Sequence, residues 1–155
     1  ILKEHDAEFK GIDHQIDTYF NVPHGRLKLR KGNIENFLIH YERPNQAGPK
    51  ASRVILYQSD PASTLEQLLT TALGVWTTVD KRRAIYFIEN VKFHVDEVVG
   101  LGSFVEIEAL DRTGEIGTPR LQQQCEFYLK KLAIPPKSLV TNSYSDLIVQ
   151  HKNGV

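Results

Sequence analysis

The 155-residue chain contains no methionine and one cysteine, Cys125. A lone cysteine excludes an intramolecular disulfide and is compatible with a reducing compartment. Cys125 falls at helical spacing with Leu121, Tyr128, Leu129 and Leu132, the position of a core thiol rather than a nucleophile. Net charge is absent as well, with 19 basic and 19 acidic side chains. Bulk electrostatics therefore give no ground for a nucleic-acid or membrane partner, and neither is expected. Any anion site must come from local segregation of charge. No apolar run approaches the ~20 residues that cross a bilayer, and no secretory leader is recognisable, so the expected location is cytoplasmic. Glycine-rich phosphate loops of the G-x-x-x-x-G-K or G-x-G-x-x-G type are missing. His14, His24, His40 and His94 have no metal-ligand spacing, and no Ser-His-Asp arrangement stands out.

What is present is a succession of short strand-like segments, at 12–20, 25–31, 36–43, 51–58, 75–79, 81–88, 91–98 and 103–110. Residues 1–10 read as the end of a helix stopped by Gly11. Asp60-Pro61 and Thr118-Pro119 are helix-start signals. They predict one helix ended by Gly74 and another running to about Ala133, before Pro135-Pro136. A short helix is expected near 145–150. Eight strands and three helices with no long linker predict a single α+β domain dominated by antiparallel sheet.

Several strands carry charges at every second position. Side chains alternate between faces along a strand. Arg26, Lys28 and Arg30 therefore share one face, and Leu27 and Leu29 share the other. Lys81 and Arg83 share a face in the same way, and Arg43 ends the third segment. Glu106 and Glu108 form an acidic counterpart, with Asp96 on the preceding strand. Taken alone, each alternation favours an ordinary sheet with a solvated face. Taken together, basic and acidic sets on different strands also fit a barrel with a polar lumen, a size of structure that encloses one small ligand. Arginine suits bidentate contact with phosphate oxygens. Carboxylates on adjacent strands suit a hard divalent cation.

Five segments, in order, resemble one known family. They are Gln15-Ile16-Asp17-Thr18-Tyr19-Phe20, Gly25 to Arg30, Lys81 to Tyr86, Phe93 to Asp96 with Gly100 to Glu108, and Ser143-Tyr144-Ser145-Asp146-Leu147. The chain resembles the CYTH superfamily of triphosphate tunnel metalloenzymes, with motifs nearest the class IV adenylyl cyclase branch. Thiamine triphosphatases and inorganic triphosphatases belong to the same superfamily.

The resemblance implies an eight-stranded antiparallel β-barrel with flanking helices over residues 1–155. It implies triphosphate held by Lys28, Arg30, Arg43, Lys81 and Arg83, and Mg²⁺ or Mn²⁺ held by Asp96, Glu106 and Glu108. The implied reaction is adenylyl cyclase or triphosphatase chemistry on ATP, thiamine triphosphate or another triphosphate. A non-catalytic phosphate-binding barrel is the alternative, and a structural domain with solvated charges is a third. The family's opening strand carries E-x-E-x-K, and Ile1 begins after its expected place; that strand upstream of Ile1 would favour the enzyme, and its absence the non-catalytic barrel. Antiparallel edges would allow a homodimer.

Overall fold

A computed structural model describes residues 1–42, 44 and 46–154. Seven antiparallel strands run β1 (Glu8–Phe20), β2 (Arg26–Lys31), β3 (Phe37–Glu42), β4 (Arg53–Gln58), β5 (Val75–Ile88), β6 (Val91–Val98) and β7 (Gly102–Ala109). Three helices, α1 (Leu65–Leu73), α2 (Thr118–Lys131) and α3 (Tyr144–Lys152), accompany them. The strand order is β4-β3-β2-β1-β5-β6-β7, and the sheet curls into a half-barrel. The curl brings distant strands together: Lys92 on β6 reaches Glu35, in the β2–β3 turn, at 2.9 and 3.0 Å.

The α+β class, the antiparallel sheet and the flanking helices are as expected, but the strands among the described residues number seven. Segments 75–79 and 81–88 are one continuous strand, because Asp80 stays in register opposite Ile16. The chain start also differs. Only a 3₁₀ turn, Leu2–His5, is helical there, and β1 begins at Glu8. Gly11 does not stop a helix; at φ 128° it sits beside a register shift in the β1–β5 pair, a typical use of glycine at a bulge. Pairing with β5 overrides the local helical pattern. Asp60-Pro61 opens a turn rather than a helix, with Asp60 Oδ1 accepting from the Ala62 N–H at 2.9 Å, and α1 begins four residues after Pro61.

Burial along β1 settles which face is which. Asp13, Gln15, Asp17 and Tyr19 are buried on the concave side, while Ile12 and Ile16 are exposed on the convex side. The concave face is thus polar, the inverse of the common pattern. Helix α1 covers part of the convex face, packing Leu69 and Leu65 on Phe20, Leu29, Leu27 and Leu38. Helix α2 covers another part, where Tyr128 meets the buried Phe93 edge-on at 4.9 Å. Helix α3 lies on the concave side, with Ile148 against Tyr19, Val79 and Val98. Ser143 starts it by accepting the Asp146 N–H, which supplies a donor partner for the first turn. Among the described residues no helix is long and apolar enough to cross a membrane.

Candidate functional site

The concave face is built by register. The β1–β2 pairing sets Asp17 opposite Arg30 and Tyr19 opposite Lys28. The β1–β5 pairing sets Gln15 opposite Lys81 and Asp13 opposite Arg83. The β5–β6 pairing sets Arg83 opposite Asp96, and β6–β7 sets His94 opposite Glu106 and Lys92 opposite Glu108. Gly25, at φ 63°, lets the chain enter β2; a Cβ there would lie 2.6 Å from the Tyr41 carbonyl oxygen, so no side chain fits.

Lys28, Arg30 and Lys81 converge on one group, the carboxylate of Asp17. Arg30 donates to it twice, Nε to Oδ1 and Nη2 to Oδ2, each at 2.9 Å. Lys81 Nζ lies 2.9 Å and Lys28 Nζ 3.2 Å from Oδ2. Asp17 is 0% exposed, and burial opposes its charge. Arg30, Lys81 and Lys28 overcome that and hold it well below the usual carboxylate range. One anion does not neutralise three cations. Burial, with Arg83, Arg30 and Lys28 adding repulsion, pushes the Lys81 ammonium down to about 7 against the opposing pull of Asp17. Tyr19 accepts from Lys28 at 3.3 Å; burial and Asp17 push its phenol up to about 12, so it stays protonated.

Arg83 belongs to a second cluster. Its Nε and Nη2 donate to the two oxygens of Asp96 at 2.8 and 2.7 Å, and Nη2 is 3.4 Å from Glu106 Oε1. Tyr144 reaches in from α3 and donates to Asp96 Oδ2 at 2.9 Å. Burial, Glu106 and Asp96 keep that phenol protonated. Burial also opposes the charge of Glu106, but Arg83 and His94 hold it well below the ordinary range. His94 is buried and kept neutral by desolvation and by Arg83; its Nδ1 is 3.4 Å from Glu106 Oε2.

Of the triphosphate residues expected from the sequence, Lys28, Arg30, Lys81 and Arg83 all face the concavity. Arg43 lies outside the described residues. Arg26 is turned aside: its guanidinium lies 4.5 Å over the Trp76 ring and pairs with Asp146 at 3.0 Å.

The three carboxylates expected at a metal are not gathered into a cage. Asp96 has both oxygens engaged by Arg83, whereas Glu106 is 39% exposed and Glu108 is exposed on the same face. Among the described residues no group of three His, Cys, Asp or Glu side chains is placed to hold a metal ion. A pair of carboxylates at alternate positions still suits Mg²⁺, which commonly takes one or two from protein and completes its shell with water and phosphate oxygens.

Asp17 and Tyr144 fall within the family-like segments, but nothing in the sequence assigns either a role. The signal for Asp17 was partial: Asp13, Gln15, Asp17 and Tyr19 fall at every second position of β1, but His14 and Thr18 between them blur the alternation with Ile12 and Ile16. Asp13 also orders the site: it accepts the N–H groups of Asn33, Ile34 and Glu35 at 2.6, 2.9 and 2.9 Å. That fixes the turn that presents Glu35 to Lys92.

The curled antiparallel sheet forms a half-barrel with a charged, buried inner face. The CYTH domain family model matches residues 1–144, and the chain belongs to that family. It is 29% identical over 149 residues to adenylate cyclase CyaB of Aeromonas hydrophila, covering 89% of this chain and 74% of that protein. In fold it is similar to the PH1012 protein of Pyrococcus horikoshii OT3, with a TM-score of 0.69, 25% identity, and coverage of 94% of this chain and 88% of that one. The PH1819 protein of the same organism gives a TM-score of 0.67 at 23% identity, covering 96% and 90% of the two chains.

Proposed function

We propose that the concave face binds a triphosphate and that the protein is a metal-dependent enzyme acting on it, as an adenylyl cyclase or a triphosphatase. The family is one of triphosphate tunnel enzymes, and its cyclase-named relative supports the first of these reactions. The observation that carries the reading is the convergence of Lys28, Arg30 and Lys81 beside Arg83 on a buried wall. Cations in a desolvated wall attract a polyanion far more strongly than the same charges in water.

Arg30 and Arg83 would hold phosphoryl oxygens through their remaining N–H groups, and Lys28 and Lys81 would act as point charges. These contacts orient the chain and stabilise charge on the leaving phosphate. In a triphosphatase, water attacks the terminal phosphorus, the bridging P–O bond breaks, and phosphate and the diphosphate remainder are released; in a cyclase, the ribose 3′ hydroxyl attacks the α-phosphorus and pyrophosphate leaves. Glu106 and Glu108, with Asp96 if Arg83 turns to the substrate, would hold Mg²⁺ or Mn²⁺. The ion would polarise a phosphoryl oxygen.

The test is to incubate the full chain with ATP, thiamine triphosphate and inorganic triphosphate, each with Mg²⁺ or Mn²⁺. Cyclic AMP with pyrophosphate identifies a cyclase, and phosphate release a triphosphatase. Metal-dependent binding without turnover selects a non-catalytic phosphate-binding barrel. Glu106→Ala should abolish metal-dependent turnover; an unchanged rate refutes the metal site.

A further inference from the structure

Asp17 carries no charge that would attract a phosphate, yet it sits at the centre of the basic wall. It is the most deeply placed member of its cluster: 0% exposed, below Lys81 at 2%, Arg30 at 6% and Lys28 at 14%. The three cations close around it. Their geometry follows from it. The Arg30 fork is fixed in plane because Nε and Nη2 each meet one Asp17 oxygen. Among the described residues, the carboxylate facing Nη1 is that of Glu35, at 4.0 Å. Lys28 is held between Asp17 and the rings of Tyr19 and Tyr41, its Nζ 5.4 and 5.3 Å from their centroids. Lys81 is held between Asp17 and the Tyr144 ring, 5.7 Å from the centroid.

We propose that Asp17 is a positioning residue of the triphosphate site. Its one carboxylate gathers Lys28, Arg30 and Lys81 onto one patch of the wall and leaves them with an excess of positive charge for a phosphoryl group. The assignment rests on the triphosphate reading above and extends it to a residue that does not touch the ligand. The physical ground is pre-organisation. Three like charges brought this close repel, and long lysine and arginine side chains are costly to order. With Asp17 in place that ordering is complete before ligand arrives, so binding energy is not spent on it.

The sign of one measurement separates this role from two others. If Asp17 were merely a competing anion, deleting its charge would strengthen polyphosphate binding. A merely structural residue would alter the melting temperature and leave the affinity of the folded protein unchanged. A positioning residue gives weaker binding despite the loss of a negative charge.

The experiment is calorimetric titration of inorganic tripolyphosphate, with Mg²⁺ present, into folded wild type and Asp17→Asn. The expected result is at least about tenfold weaker binding in the variant, the scale of having to order one or two long side chains on binding. Asp17→Asn strands buried cations, so Asp17→Asn/Lys81→Met is compared with Lys81→Met as well. This pair removes one cation with the anion and supplies a folded test if the single variant unfolds. The double variant should again bind at least about tenfold more weakly than its parent. Equal or tighter binding after loss of Asp17, in either background, overturns the assignment. A wild-type chain that binds neither tripolyphosphate nor ATP overturns the triphosphate reading itself, and the assignment with it.

Discussion

Replacing Lys81 by methionine removes an ammonium that touches a carboxylate, yet the free protein should lose little stability at neutral pH and is expected to gain some. Lys81 is 2% exposed, so solvent screens its charge very little. Asp17 does not depend on it, since Arg30 still makes two bonds to that carboxylate and Lys28 a third contact. The cost of the charge appears in the proton equilibrium, which falls from 10.5 to about 7 on folding. For a base with a depressed value the sign is clear. Between those limits the unfolded chain binds more protons than the folded one, so stability rises with pH, by at most about 1.4 kcal/mol per pH unit. Below pH 7 the wild type carries the whole charging cost, on the order of 5 kcal/mol with the attraction of Asp17 already included. Above 10.5 it carries none.

Methionine fills the space without this titration. Urea unfolding of both proteins from pH 6.5 to 10.5 would show it, because every other titrating group is shared and the difference isolates Lys81. The wild type should gain on the variant steadily as pH rises from about 7, the upper end of its buried ammonium's range. A variant about 3–5 kcal/mol less stable at pH 7, with a difference that does not change with pH, would refute the reasoning. It would mean that Lys81 stays charged as an ordinary buried pair with Asp17.

Asp96→Ala should destabilise strongly, because it leaves Arg83 buried with Glu106 at 3.4 Å as its nearest remaining carboxylate. Breaking a buried pair costs about 3–5 kcal/mol, and the Glu106 contact sets the expectation near 3. In a domain of this size that lowers the melting temperature by roughly 10 °C, read by thermal unfolding. Tyr144→Phe removes one of three hydrogen bonds to Asp96 and should cost about 1 kcal/mol in urea unfolding. A loss as large as that of Asp96→Ala would show that α3, rather than Arg83, holds the carboxylate in place.

Alternation along β2, β5 and β7 was enough to read an antiparallel sheet with one polar face, because period two is a property of the strand itself. It did not say which face turns inward. That depends on where α1, α2 and α3 dock, and only the buried Asp13, Gln15 and Asp17 beside exposed Ile12 and Ile16 decide it. Strand ends were less legible for a related reason. Residues 8–10 carry a helix-like pattern, but pairing of Glu8 and Phe9 with Phe87 and Tyr86 draws them into β1. The basic residues were legible as residue types on a shared face. Their convergence on Asp17 was not, since it depends on cross-strand register set by the 21–25 turn and by a bulge near Phe20. The motif around Asp96 suggested a metal ligand, and the register instead places Arg83 directly opposite it.

The most direct measurement is titration of inorganic tripolyphosphate, with Mg²⁺ present, into wild type and Lys28→Met. Lys28 is the most accessible of the three cations around Asp17, at 14% exposed, and its replacement leaves the Arg30 and Lys81 contacts to Asp17 in place. Loss of a charge-assisted contact of about 1.5–3 kcal/mol predicts roughly ten- to hundredfold weaker binding, with the melting temperature little changed. Binding of equal strength in both proteins, or none in the wild type, would contradict a triphosphate site on the concave face.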